Sequence, residues 1–308
     1  MISIRKTMTV LCFIALFITS CSTQEVLANP ITTSFAIPAK VQFAGNTIDL
    51  DRYDMRERFD REQTQIAYMH TTTLLIMKRA NRLFPIIEPI LKKHGIPDDF
   101  KYLAVIESSL DVRALSPAQA AGLWQLMPRT ATELGLEVGD EVDERYHIEK
   151  STEAACKYLR SAFVRYKDWT MAAVSYNAGM GKVSSELEKQ LIDNTFDMWL
   201  VPESSRYMFR ILATKHFFEN PRAFGYRVEK EHLYQDINTK KVSVSGSIPD
   251  LATWAKQNNI TYAQLKEFNM WLRDRKLTNS RGKTYEIDMP DTNDMSHKKA
   301  KIKVHIKI

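Results

Sequence analysis

The stretch Gly95-Ile96-Pro97-Asp98-Asp99-Phe100-Lys101-Tyr102-Leu103-Ala104-Val105-Ile106-Glu107-Ser108-Ser109-Leu110 reads as a helix with an acid on its inward face. Pro97 suits the first helical turn, where no amide hydrogen is needed, and Asp98 and Asp99 complement the partial positive charge of that end. Leu103, Ile106 and Leu110 recur at i, i+3 and i+7 and define an apolar stripe, on which Glu107 falls at i+4. A carboxylate facing a core is costly unless it has a partner or a task. Desolvation by these neighbours raises its pKa, the condition a general acid needs near neutral pH. On this segment alone a second reading stays open, in which Glu107 is ion-paired inside a helical bundle or turned out at the helix end.

Two further segments shift that balance. Ala120-Ala121-Gly122-Leu123-Trp124-Gln125-Leu126-Met127-Pro128 combines small residues, where backbone can approach a ligand, with an indole and an amide. Val174-Ser175-Tyr176-Asn177-Ala178-Gly179-Met180-Gly181 puts a phenol and an amide at the end of the helix begun by Asp168-Trp169, with Gly179 as its stop. Amides hydrogen-bond hydroxyl and N-acetyl groups, and aromatic faces pack on pyranose rings, so both sets suit a sugar. Singly, each has a plainer reading: capping for Asn177, core packing for Trp124 and Tyr176.

Around these segments, from about Met55 to Phe224, apolar residues recur at three and four, broken by Pro85, Gly95, Pro97, Pro117, Gly135, Gly179, Gly181 and Pro202. The fold class expected is mainly α: an all-α block over 56–225, followed by a small β-α-α-β domain over 226–290. In the latter, strand-like Lys241 to Val244 and Thr284 to Met289 bracket helical patterns at Leu251 to Gln257 and Tyr262 to Phe268. A basic tail, 291–308, closes the chain; its alternating lysines read as a solvated edge strand, with contact to anionic murein or lipid as the alternative. At the other end Arg5 and Lys6 precede an apolar run from Met8 to Ile18, too short to span ~30 Å of hydrocarbon, which reads as a secretory signal peptide over 1–20. Ile18-Thr19-Ser20-Cys21 resembles a bacterial lipobox. That resemblance implies lipidation of Cys21 and a membrane anchor, and Ser22 after the cysteine favours the outer membrane; simple secretion is the alternative. The stretch over 21–55 lacks sustained periodicity and reads as a tether followed by a short strand-like piece, Val41 to Leu50. Cys12 would leave with the signal and Cys21 carry lipid, so Cys156 stands alone and reads as a buried structural thiol.

With 308 residues, 44% of them hydrophobic and 26% charged, the chain has ordinary globular composition, which excludes wholesale disorder and a disulfide scaffold. The formal charge of +6 is not a nucleic-acid signature. Arg5 and Lys6 leave with the leader and five lysines crowd the tail from Lys298 to Lys307, so the folded body lies within one charge of neutrality. The histidines are scattered and no paired-cysteine spacing occurs, so no metal site is expected; no phosphate-cradling glycine loop occurs either, and no cofactor is expected.

Glu107-Ser108, Gly122-Leu123-Trp124-Gln125 and Tyr176-Asn177-Ala178-Gly179 together resemble the three motifs of the soluble-lytic-transglycosylase type, lysozyme-like catalytic domain. The likeness runs on through Ile96 to Asp99, Asp143-Glu144-Arg145, Ser151 to Ala155 and Asp168-Trp169, covering roughly 42–224. Ser175 stands where the family usually has Ala, and Met180 where it often has Pro. Glu203-Ser204-Ser205-Arg206-Tyr207 resembles a further family segment with altered middle residues, which ranks Tyr207 below Tyr176 as a substrate contact.

This resemblance implies a periplasmic enzyme acting on peptidoglycan glycan strands. It would cleave the β-1,4 bond between N-acetylmuramic acid and N-acetylglucosamine without water, leaving a 1,6-anhydromuramoyl end. Ordinary retaining glycosidases need two carboxyls. Here the nearest other acid in sequence is Asp111, past the apolar stripe, and none lies within the other two motifs, which fits Glu107 as single acid and base. Tyr176 and Asn177 would position the N-acetyl group, Gln125 would stand near the reacting sugar, and Ser108 would fix local geometry. The rival enzyme is a muramidase-type hydrolase using water; the rival from another class is a non-catalytic peptidoglycan-binding protein, against which the presence of Glu107, Gln125, Tyr176 and Asn177 speaks. The C-terminal pattern, Val242 to Gly246, Leu251, Trp254, Leu265, Asn269 and Tyr285 to Pro290, resembles a LysM module, with Gly246 to Asp250 departing from the usual opening and Trp271 to Arg275 lengthening a turn. Glycan binding and a structural cap both remain open for it.

Overall fold

A computed structural model describes residues 32–292, 295–296 and 302–308; the leader and Cys21 lie outside the described residues, as do Lys298, Lys299 and Lys301 of the tail. The described chain begins with an antiparallel hairpin, β1 (Lys40–Phe43) and β2 (Asn46–Asp49), which turns through Ala44 and Gly45, both at positive φ. Asp99 Oδ2 accepts the Ala44 amide at 2.8 Å, and Phe43 packs against Phe100 with ring centroids 5.3 Å apart. Phe43 and Leu50 are fully buried, so the hairpin belongs to the helical body, not to a free tether.

The body is built from α1 (Tyr53–Tyr68), α2 (His70–Lys93), α3 (Lys101–Ser108), α4 (Pro128–Glu133), α5 (Ile148–Tyr166), α6 (Trp169–Ala178), α7 (Met180–Gln190) and α8 (Pro202–Glu219). Helix α2 continues across Pro85, where the sequence suggested a break, and across Pro89. Each interior proline costs about 3 kcal/mol. Burial of Leu83, Phe84, Ile87 and Leu91 on the same turns returns about 1.5–3 kcal/mol apiece, so packing decides the outcome. Pro202, by contrast, occupies the first position of α8, where its missing N–H costs nothing. The core centres on α8, which lays Tyr207, Phe209, Ile211 and Phe217 against α1, α3 and α6.

The C-terminal unit is β3 (Thr239–Val244), α9 (Leu251–Gln257), α10 (Tyr262–Phe268) and β4 (Tyr285–Pro290), with β3 and β4 antiparallel and Val242 opposite Ile287. Asp250 caps α9 through the amides of Ala252 and Thr253, and Thr261 with Gln264 forms a capping box on α10. Its apolar cluster of Leu251, Leu265, Trp271, Leu277 and Ile287 also takes in Ala121, Val142 and Tyr146 of the helical body. Backbone bonds from Asp143 N to Trp271 O (2.9 Å) and Arg273 N to Glu141 O (2.8 Å) stitch the same seam, and Phe35–Ile308 forms one compact unit.

Residues 302–308 do not pair as a solvated edge strand. Asn81 donates to Lys303 O (3.0 Å) and accepts from His305 N (2.8 Å), while Ile306 and Ile308 pack against the helical core. The buried amide of Asn81 satisfies backbone that an edge strand would leave to water.

Candidate active site

Helix α3 ends at Ser108, and Ser109 and Leu110 both take the left-handed conformation, with φ of 54° and 55°. The inward stripe is therefore Leu103, Ala104 and Val105 with Tyr102 and Ser108; Ile106 and Glu107 are only part-buried. Glu107 thus stands on the last turn, part-buried at the edge of the core. Burial pushes its carboxyl up to about 7, with Glu203 adding a like charge in the same direction, while the Tyr207 hydrogen bond and the Arg210 charge oppose the rise. Tyr207, buried on α8, donates its phenol to Glu107 Oε1. Burial beside that carboxyl holds the Tyr207 phenol well above the ordinary range, so it remains a donor. Tyr207 touches the acid itself and is enclosed by protein.

The acid whose charge reaches Glu107 is Glu203, one helical turn before Tyr207 on α8. Asp111, its nearest acidic neighbour in sequence, instead faces Arg79 at 3.5 Å and caps the amide of Arg113. Arg210, a turn beyond Tyr207, donates to Ile106 O at 2.7 Å and ties α8 to the last turn of α3.

Ser108 is a fixing residue: its Oγ donates to Ala104 O (3.2 Å) and Leu123 O (2.8 Å), joining the acid's helix to the second motif. That motif is a tight loop. Gly122 has φ +76°, and a Cβ there would stand 2.0 Å from Arg145 O, so only glycine fits. Arg145, buried and paired with Asp143 at 2.7 Å, donates to Gln119 O and Leu126 O and so clamps both ends of the loop. Gln125 is held at φ 47°, its amide nitrogen bonded to Ala114 O and Gly122 O, which sets the direction of its carbonyl oxygen. Trp124 is wholly buried with its indole N–H on Thr152 Oγ1 at 2.8 Å, so it supports the loop from inside and presents no face to a sugar.

The third motif sits at the end of α6, which Asp168 caps through Thr170 and Met171 amides. Gly179, at φ +83°, ends α6 and α7 begins at Met180. Tyr176 reaches across to donate to Trp124 O at 2.8 Å, and its ring meets Tyr158 edge-on at 5.2 Å. Asn177 Oδ1 accepts from Ser204 Oγ of α8 at 2.6 Å, which leaves its amide hydrogens for a ligand. The fold thus brings the three motifs and the start of α8 to one place, with Ser108, Tyr176, Ser204 and Tyr207 as the links. Sequence reasoning missed Glu203 and the Asp143–Arg145 clamp as parts of this arrangement, although both segments carried the family resemblance. Cys156 is buried with its thiol pushed up to about 12, remote in character from a nucleophile.

In the C-terminal unit the loop before α9 is zipped to the loop after α10. Ile248 and Leu277 exchange backbone bonds, Asn279 donates to Ser245 O, and Glu141 of the helical body takes both the amide and hydroxyl of Thr278.

The chain matches the family described as transglycosylase SLT domain over residues 84–197, and the family described as soluble lytic transglycosylase C-terminal LysM-like domain over residues 240–293. It is 27% identical over 220 residues to membrane-bound lytic murein transglycosylase D of Escherichia coli K12, covering 70% of this chain and 47% of the relative. It is 29% identical over 173 residues to membrane-bound lytic murein transglycosylase C of Haemophilus influenzae, covering 49% of this chain and 46% of the relative. The chain therefore spans about half the length of these curated relatives. Among solved structures, the 70 kDa soluble lytic transglycosylase from Escherichia coli aligns with a TM-score of 0.42 and 18% identity, over 54% of this chain and 29% of that one. The three motifs around Glu107 accordingly lie within or beside a transglycosylase SLT domain, and the chain carries that domain followed by a LysM-like domain of the soluble lytic transglycosylase C-terminal type.

Proposed function

We propose that this protein is a peptidoglycan lytic transglycosylase in which Glu107 alone serves as acid and then base. The observation that carries the reading is the environment of Glu107: a part-buried carboxyl, titrating near neutrality, with one oxygen held by Tyr207 and the other free for substrate. Protonated Glu107 gives its proton to the glycosidic oxygen as the bond from muramoyl C1 breaks. The resulting carboxylate takes the proton of the muramoyl C6 hydroxyl while that oxygen attacks C1, which closes the 1,6-anhydro ring and returns Glu107 to its starting state. The nucleophile is tethered to the substrate, so the step gains the high effective molarity of an intramolecular reaction. Asn177 and Tyr176 position the N-acetyl group, and the fixed carbonyl of Gln125 orients the sugar ring beside it. Cys21 anchors the protein to a membrane on the periplasmic side, facing its polymeric substrate. The Glu107→Gln variant tests the assignment: it should lose turnover of murein while still binding it, and retained cleavage would remove Glu107 from the chemistry.

A further inference from the structure

The connection from α7 to α8 holds an aromatic ring in water at some structural expense. In the segment Met198-Trp199-Leu200-Val201, Met198 and Leu200 are rooted in the core while Trp199 is 84% exposed and Val201 also faces out, the alternation of an extended chain. The backbone here is pinned. Gln190, at the end of α7, donates to Trp199 O and accepts from Trp199 N, both at 2.7 Å, and Ser205 Oγ brackets Leu200 in the same manner. Arg58 of α1 holds Phe196 O and Ser205 O, and Asn194 caps the amides of Phe196 and Asp197. An indole exposed on so constrained a backbone is presented, since a free loop would let it fold against the neighbouring apolar surface.

A second ring accompanies it. Arg52 pairs with Asp197 at 2.5 Å, and the next residue, Tyr53, is 77% exposed. Tyr53 and Trp199 therefore stand one and two residues from the same ion pair. The segment leads directly into the helix that reaches the candidate active site: α8 starts three residues after Trp199, Ser204 bonds Asn177, and Tyr207 bonds Glu107. Gln190 lies a full helix, ~16 Å, from the Gly179 break that ends the third motif.

We infer that Trp199, with Tyr53 beside it, is an outlying platform for the glycan strand, stacking on the apolar face of an N-acetylhexosamine ring remote from the bond being cleaved. The proposal rests on the transglycosylase reading and adds a residue that governs strand length. A bilayer surface is the less suited partner for these rings. Within two residues of either ring stand Asp51, Asp54 and Asp197 against Arg52 alone, a balance that lacks the cluster of basic residues that anionic lipid headgroups need.

The test uses the full chain carrying Glu107→Gln, titrated with long, peptide-free glycan strands and with a single tetrasaccharide of the same sugars. Trp199→Ala should weaken binding of the long strands about tenfold, the scale of one lost aromatic contact, and leave tetrasaccharide binding where it was. Trp199→Phe should restore most of the loss. In the otherwise unaltered enzyme, Trp199→Ala should raise KM for long strands with kcat retained. Equal binding of long strands by all variants would overturn the platform, as would a Trp199→Ala loss confined to phosphatidylethanolamine–phosphatidylglycerol vesicles. Wild-type protein that fails to cleave murein would instead defeat the transglycosylase reading, with the platform still measurable by binding.

Discussion

The phenol of Tyr207 donates a hydrogen bond to Oε1 of Glu107 across 100 residues of sequence, joining the middle of α8 to the last turn of α3. The bond stabilises the carboxylate, and so opposes the burial that raises the carboxyl's pKa. It also fixes Oε1 and so sets the direction of Oε2.

Removing that bond has a signature of its own. Tyr207→Phe should move the fall of kcat/KM with alkaline pH to higher pH, because the neutral acid is then favoured further. It should also lower kcat about tenfold to a hundredfold as the carboxyl loses its fixed orientation. A pH–rate profile over the range from 5 to about 9 separates this from simple loss of folded enzyme, which would scale the profile without moving it.

Glu203 acts in the opposite sense. Its negative charge raises the Glu107 carboxyl, so Glu203→Gln should shift the alkaline limb to lower pH, and raising the salt concentration should mimic part of that shift. The profiles of the two variants, measured side by side, should bracket that of the wild type.

The raised carboxyl also carries a stability cost. The native state keeps its proton up to about pH 7, whereas in the unfolded chain the same group titrates near 4.5. Between those values the native state binds more protons, so stability falls as pH rises, and the full penalty is present above about pH 7. Glu107→Gln should therefore unfold later than wild type above pH 7, by on the order of 3 kcal/mol, with the gain fading as pH falls through that window and absent below pH 4.5. Denaturant titrations at the two ends of that window measure it.

The clamp on the second motif gives a prediction about folding. Asp143→Ala leaves Arg145 buried without its partner and should cost about 3–5 kcal/mol, lowering Tm by roughly 10 °C. Gly122→Ala should be comparably damaging, because its Cβ collides with backbone at Arg145 O. Circular dichroism melts report both, and neither variant should shift the pH–rate limb of the enzyme that remains folded.

What the sequence yielded and what it withheld follow from the range of the interactions. Helices α9 and α10 match the expected bounds because local signals set them, Asp250 at one cap and the Thr261–Gln264 box at the other. Glu107, Gln125, Tyr176 and Asn177 were grouped by the resemblance of their three motifs to a known family, and bonds of Ser108, Tyr176 and Ser204 link those motifs in the fold. The passage of α2 through Pro85 was not legible, since burial of its neighbours overrides local preference. The sequence pattern set Trp124 among the sugar-facing aromatics, whereas its burial and the bond of its indole nitrogen to Thr152 make it a core residue. Tyr207 and Glu203 act on the acid only because α8 packs against α3, and the docking of residues 302–308 on Asn81 spans most of the chain. Neither has a local signature.

The most direct test of Glu107 as sole acid and base is mass spectrometry of murein digested by the wild-type protein, with Glu107→Gln as control. The account predicts muropeptides ending in 1,6-anhydromuramic acid from the wild type and none from the variant. Reducing-end sugars alone, one water heavier, would show that water is the nucleophile and contradict it.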